Sequence, residues 1–175
     1  MKAHALLFVV ATFALGAANA QAQEARFISS EPSPFKRSVF VAPNETRFSG
    51  SATVSGTLQV AWEPESEGFG GGYRVVLKPD AASQRRLPHD AGRGPVSEIW
   101  IRNTDTIISA LLSPAQRKAG LKQQHYFSGQ VRLVLNSYRT GVDCDMRGYN
   151  ALFVAVADER PALALAPRPD EVPSC

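Results

Sequence analysis

The feature that most constrains the fold is a strictly alternating stretch at residues 51–62. Polar Ser, Thr and Gln residues occupy its odd positions up to 59. Successive side chains of a β-strand point to opposite faces, so this period of two predicts a long strand with one buried face. The buried positions would be Ala52, Val54, Gly56, Leu58, Val60 and Trp62.

Other segments also have strand character, and a strand of that length needs partners. Apolar alternation predicts strands at 37–42, 73–78, 98–102 and 126–136. The segment 149–156 is nearly all apolar, which predicts a central strand covered on both faces. Polar residues with Gly or Pro predict a loop at 79–95 and a turn at 138–141.

Helix signals lie between residues 105 and 122. Residues 105–112 fit a short helix capped by Thr104 or Asp105, and Ser113-Pro114 fits the start of a second helix. Ser is favoured at the N-cap and Pro at the first helical position. The fold class expected is therefore mainly β with one or two short helices.

The order of elements supports a particular architecture. Three strands, an interposed helix and a closing pair of strands resemble the small OB-like barrels of exported bacterial proteins. The resemblance covers residues 51–158 and includes 54–58 (Val-Ser-Gly-Thr-Leu) and 127–131 (Phe-Ser-Gly-Gln-Val). It implies a small OB-like barrel, while a β-sandwich and an α+β sheet fit the same strand pattern.

The N-terminus has the layout of a secretory signal peptide. Lys2 precedes an apolar run at 5–15, and residues 18–20 (Ala-Asn-Ala) form a small-x-small cleavage site, with 20–22 as a second. This run is too short to cross about 30 Å of hydrocarbon. We therefore expect cleavage near Ala20 and a soluble periplasmic or secreted product with no membrane span.

The rest of the chain, roughly 155 residues, fits one domain. We expect a flexible lead-in at 21–36, a single β-rich domain at 37–158 and a Pro-rich tail at 159–175. The sequence contains two cysteines, Cys144 and Cys175. An even count in an exported chain predicts a disulfide, which would tether the tail.

Charge and motifs argue against several classes of function. The formal charge of +3 falls to +2 when Lys2 leaves, which is too small to imply nucleic acid. The Gly-rich stretch 68–72 lacks the ending of a phosphate loop. His89, Asp143 and Asp145 are not accompanied by a nucleophile motif. We expect no enzymatic activity, no cofactor and no metal.

Strand parity singles out candidate binding residues. Inward Ile99 and Ile101 force Trp100 and Arg102 outward. A Trp beside an Arg on an outer face is typical of binding interfaces, and basic residues of the 79–95 loop suit an anionic partner. The candidate residues are Trp100, Arg102, Arg132, Arg74, Tyr126, Arg85 and Arg86.

The function expected is that of a non-enzymatic exported binding module for a protein, glycan or other anionic ligand. In this interpretation the ligand docks on the outer strands, provided that Trp100 is not covered by a helix or by the tail. The alternative is a small exported inhibitor or immunity-type protein that blocks a secreted hydrolase with a projecting 79–95 loop.

Overall fold

The computed structural model describes residues 26–42, 45–63, 71–120, 125–143, 146–158 and 161–167. The signal segment 1–20 and both cysteines, Cys144 and Cys175, lie outside these residues. Cleavage near Ala20 and the disulfide therefore remain predictions.

The described residues form ten strands and three short helices. The first strands are β1 (Phe27–Ile28), β2 (Lys36–Ala42), β3 (Glu45–Ser49), β4 (Ser51–Glu63) and β5 (Gly72–Pro79). The later strands are β6 (His89–Asp90), β7 (Ile99–Ile101), β8 (His125–Asp143), β9 (Met146–Val156) and β10 (Ala164–Pro167). The helices are α1 (Ala81–Arg86), α2 (Thr104–Leu111) and α3 (Pro114–Gly120).

Five strands close into a barrel in the order β4-β5-β7-β9-β8, because β8 pairs with both β4 and β9. Neighbours are antiparallel except β7 and β9, which are parallel. Two helices, α2 and α3, separate the third barrel strand from the closing pair. The mainly β fold and the small barrel are confirmed, and closure excludes the β-sandwich.

The long alternating stretch forms β4 as predicted. Val54, Leu58 and Val60 are almost fully buried, whereas Ser51 and Thr53 are exposed. The inward positions of β5, β7 and β8 meet them in a continuous core. Burial of apolar area is the main favourable term here, at about 25 cal/mol per Å².

The structure corrects the turn predicted at 138–141, since these residues belong to the 19-residue strand β8. A register shift against β9 lies between Asn136 and Arg139, and Ser137 has a positive φ of 49°. This β-bulge reverses the parity of the strand, so both Leu135 and Tyr138 point inward. Beyond the bulge, Arg139 points outward.

Strand β3 was not expected from the sequence. Thr46 and Phe48 are buried, and β3 pairs with β2 on one side and with residues 139–141 of β8 on the other. Gly50 separates β3 from β4 with φ +104°, and a Cβ there would lie 2.4 Å from the carbonyl oxygen of Pro34. Only glycine fits this break, which lets two successive strands pair with the same long strand.

Residues 21–36 were predicted to be a flexible lead-in, but the structure packs residues 26–35 against the rest of the domain. Phe35 is 4% exposed and its ring stacks on Tyr138 at 4.9 Å between centroids. The Phe27 ring meets Phe48 edge-on at 5.4 Å, and β1 pairs with β6. Apolar side chains thus pin this segment over one end of the barrel.

The prediction of a polar loop at 79–95 is also wrong, because this segment contains α1 and β6. The Asp80 carboxylate accepts a hydrogen bond from the Ser83 amide at 2.7 Å and caps α1. Leu87 and His89 are buried. This N-cap signal was present in the sequence as Asp80 followed by good helix formers.

The two later helices lie where they were expected, although one cap differs. Ser113 and Gln116 bond each other's backbone amides at the start of α3, which is a capping box. At α2 the N-cap is Asn103 rather than Thr104 or Asp105, and its side chain bonds the Phe153 backbone instead of the helix. This amide therefore joins α2 to β9.

Strand β9 is not covered on both faces, which corrects the prediction for 149–156. Tyr149, Ala151 and Phe153 point inward, whereas Val154 is 49% exposed. The described part of the Pro-rich tail is extended, and β10 pairs antiparallel with the first residues of β8. Its proline lies at the end of this short strand, where it interrupts little pairing.

Candidate functional site: a basic and aromatic outer face

Trp100 lies on the outside of the barrel, as parity predicted. Its side chain is 44% exposed, whereas Ile99 and Ile101 are buried. The indole N–H donates to Glu98 Oε1 at 2.9 Å, and the Arg74 guanidinium lies 5.6 Å from the ring centroid. Neither α2 nor the described part of the tail buries this ring.

A row of side chains crosses the sheet from Trp100. In register, Trp100 is opposite Asn150 of β9, Asn150 is opposite Arg139 of β8, and Arg139 is opposite Arg47 of β3. Strands lie about 4.8 Å apart, so Trp100 and Arg139 are about 10 Å apart at their backbones. We call this surface, with Arg74 and Arg102, the basic–aromatic face.

Two arginines of this face contact the Glu45 carboxylate, and the charge of a third, Arg102, acts on the same carboxylate. Arg47 Nε donates to Glu45 Oε1 at 2.7 Å, and Arg139 Nη1 lies 3.6 Å from the same oxygen. Arg102 donates from Nη2 to the Ser137 carbonyl at 3.2 Å. We call Arg47, Arg102 and Arg139 the arginine cluster, and with Glu45 it carries a net charge of +2.

The pKa shifts record this crowding of positive charge. Partial burial, followed by the charges of Arg139 and Arg47, lowers the pKa of Arg102 against the opposing pull of Glu45. The hydrogen bond from Arg47, with the charges of Arg139 and Arg102, lowers the pKa of Glu45 despite its partial burial. Glu45 is thus ionised at neutral pH, and the cluster still has an excess of positive charge.

Asn150 links the aromatic and the basic parts of the face. Its Oδ1 accepts from Arg139 Nε at 2.5 Å, which fixes the direction of that guanidinium. At the Trp100 end of the face, Arg74 Nε lies 3.1 Å from Glu63 Oε1. Hydrogen-bond donors and acceptors are therefore balanced at the Trp100 end, whereas the arginine cluster has an excess of donors.

The structure does not bring all the predicted residues together. Arg132 is seven residues from Arg139 along β8, or about 23 Å, and forms an ion pair with Asp158 at 2.7 Å. With Arg86 it lines a separate shallow depression of about 340 Å³. Arg85 forms an ion pair with Glu31. Carboxylates neutralise much of the charge around this depression.

Tyr126 borders the basic–aromatic face. It is opposite Ala61 of β4, which is opposite Arg74 of β5, so it lies about 10 Å from Arg74 at the backbone. Its other neighbour in the sheet is Ala166 of β10. Tyr126 is half-buried and lies at the margin of the face.

Sequence reasoning missed Arg47, Arg139, Asn150 and Glu45. The alternation of residues 45–49 is a strand signal that could have placed Glu45 and Arg47 outward. No comparable signal existed for Arg139, because its direction depends on the bulge at Ser137. Asn150 belongs to the segment 149–156, which was expected to be covered on both faces, so it was not considered as a surface residue.

Other polar groups lie inside one end of the barrel. Arg147 Nε is 2.8 Å from Asp90 Oδ2, and its guanidinium lies 5.3 Å from the Phe27 ring centroid. The Tyr149 hydroxyl accepts from the Asp90 amide. In the described residues, no three His, Cys, Asp or Glu side chains are placed to hold a metal ion.

Comparisons with known proteins place the chain in no family. No family model, no curated protein and no solved structure matches it. Within the described ranges, every helix is too short or too polar to span a lipid bilayer.

Proposed function

We propose that this chain is a non-enzymatic exported binding module that takes an anionic ligand on the basic–aromatic face. The observation that carries the proposal is the arginine cluster beside an exposed Trp. Two of its guanidiniums contact the Glu45 carboxylate, and the third, that of Arg102, lies two residues from Trp100 along the chain. Guanidinium forks bind carboxylate, sulfate and phosphate groups, and Trp and Arg are the side chains enriched at binding hot spots.

The barrel topology supports the same interpretation. Arg74 and Trp100 lie on the second and third barrel strands, β5 and β7. In OB-type barrels the face of those strands is where ligands dock. The resemblance to small exported OB-like barrels and the signal segment at 1–20 support export. The alternative, an inhibitor acting through residues 79–95, has less support because that segment packs onto the barrel.

The test uses the mature chain and a panel of three polyanions: heparin, polygalacturonate and poly-L-glutamate. We expect at least one of them to bind in a calorimetric titration. Trp100→Ala should weaken the tightest of these interactions about 30-fold, since a hot-spot aromatic contributes about 2 kcal/mol. Arg102→Gln should weaken it about tenfold, since one charge-assisted hydrogen bond is lost.

Arg86→Gln is the matched control, because it removes the same charge from the separate depression. It should leave the affinity unchanged apart from a small electrostatic effect. Melting curves verify that each variant folds. If no polyanion binds, or if Arg86→Gln weakens binding as much as Arg102→Gln, the proposed function is wrong.

A further inference from the structure

The two ends of the basic–aromatic face present different chemistry, and this difference restricts the ligand. At the Trp100 end, Arg74 and Asn150 offer donors, and Glu98 offers a carboxylate acceptor beside the ring. A carboxylate accepts hydrogen bonds from sugar hydroxyl groups, and it repels ionised acid groups, which have no proton to donate. At the other end, the arginine cluster has an excess of donors and suits an acid group.

We infer, building on the proposed function, that the ligand is an acidic polysaccharide whose sugars carry carboxylate groups. One pyranose ring packs on Trp100, since the C–H faces of a sugar are apolar. The chain then crosses the strands above Asn150, and the carboxylate of a following sugar binds the arginine cluster.

The spacing of the row fits such a chain. Each step from Trp100 to Asn150 and from Asn150 to Arg139 is one strand spacing, about 4.8 Å. This is close to the length that one pyranose adds to an extended polysaccharide. If one sugar packs on Trp100, the next lies above Asn150, and the one after that lies beside Arg139 and within reach of Arg102.

The nature of the acid is suggested by the cluster itself. Arg47 and Arg139 already contact a carboxylate, that of Glu45. A carboxylate from a sugar would repeat this contact on the guanidinium edges that Glu45 does not fill. The net charge of +2 then falls to +1, so a carboxylate ligand lowers the repulsion among the arginines.

The experiment compares three probes that differ in one property each. Polygalacturonate has both rings and carboxylates, fully methyl-esterified polygalacturonate has the rings without the charges, and poly-L-glutamate has the carboxylates without the rings. We expect the mature chain to bind polygalacturonate and to bind each of the other two at least tenfold more weakly.

Two variants connect this preference to the face. Trp100→Ala should weaken polygalacturonate binding and leave the weak binding of poly-L-glutamate unchanged, whereas Arg102→Gln should weaken both. Equal affinity for poly-L-glutamate and polygalacturonate, or a Trp100→Ala effect of the same size on both, would overturn the inference while leaving a binding module for anions in place. Absence of binding to all polyanions would instead refute the proposed function.

Discussion

Single residues decide the charge of the basic–aromatic face. Among the described side chains, Glu45 is the one carboxylate that contacts the arginine cluster, and Arg47 is its nearest partner at 2.7 Å. Its side chain is 29% exposed, so solvent weakens the pair only in part. Within the described residues, loss of Glu45 would remove the carboxylate that offsets the mutual repulsion of the three guanidiniums.

We therefore predict a pH-dependent stability effect of Glu45→Gln. The pKa of Glu45 is lower in the folded state than in the unfolded chain, so its ionic contacts stabilise the fold above the unfolded pKa of about 4.3. This contribution disappears as pH falls through the lower, folded-state pKa. Urea unfolding should show the variant less stable than the parent at pH 7, with the gap narrowing toward pH 3.

The pH dependence of this difference in stability identifies its cause. If the difference in unfolding free energy between Glu45→Gln and the parent stays constant from pH 7 to pH 3, its cause is packing rather than charge. The electrostatic role assigned to Glu45 would then be wrong. The same variant should bind polygalacturonate more tightly at pH 7, because the net charge of the cluster rises by one.

Strands were predictable wherever alternation was unbroken. Residues 51–62 and 126–136 form strand as expected, and Ile99 and Ile101 correctly fixed the direction of Trp100. Parity arguments fail where a bulge adds a residue, because every later side chain then changes face. Arg139 lies just past such a bulge, and this is why its direction escaped prediction.

The bulge at Ser137 can be tested by removing it. Deletion of Ser137 removes the extra residue, so Tyr138 follows Asn136 directly and both Tyr138 and Arg139 keep their faces. Ser51 and Arg47 of the neighbouring strands, which are opposite Asn136 and Arg139, would then have one residue of β8 fewer between their partners. We predict that the deletion variant folds by circular dichroism but is less stable than the parent in urea unfolding.

Ser137→Gly is the matched control. Its backbone angle of φ 49° suits glycine, so this variant should fold with a stability within about 1 kcal/mol of the parent. A deletion variant as stable as Ser137→Gly would show that pairing with β3 and β4 does not need the extra residue. An unfolded deletion variant would show that Tyr138 and Arg139 do not keep their faces when the bulge is removed.

At the scale of the molecule, the closed barrel is covered in part by the segments 26–35 and 161–167 that precede and follow its strands. The lead-in supplies Phe27 and Phe35 to the aromatic group at one end, while the tail lies along β8. The sequence placed both segments outside the domain because Pro, Ser and charge dominate them. Phe35 and Leu163 of these segments are buried, whereas Ile28 and Leu165 are exposed. Composition alone does not reveal which isolated apolar residues find a partner.

Docking of the tail depends on a close approach at Gly129 of β8. A Cβ at this position would lie 2.8 Å from the Ala162 carbonyl oxygen and 2.9 Å from Leu163 Cδ2. Backbone cannot yield as a flexible side chain can, so Gly129→Ala must push residues 162–163 away and expose Leu163. We predict a destabilisation of about 1–3 kcal/mol, the usual range for overpacking, measured by urea unfolding.

Gly148→Ala on β9 provides the matched control for the tail. A Cβ at Gly148 meets no atom within 4 Å, so this variant should be at least as stable as the parent. Limited proteolysis separates the two mechanisms available to Gly129→Ala. A displaced tail becomes cleavable near residues 161–167 while the barrel stays intact, and equal protease resistance of both variants would contradict the packing argued for β10.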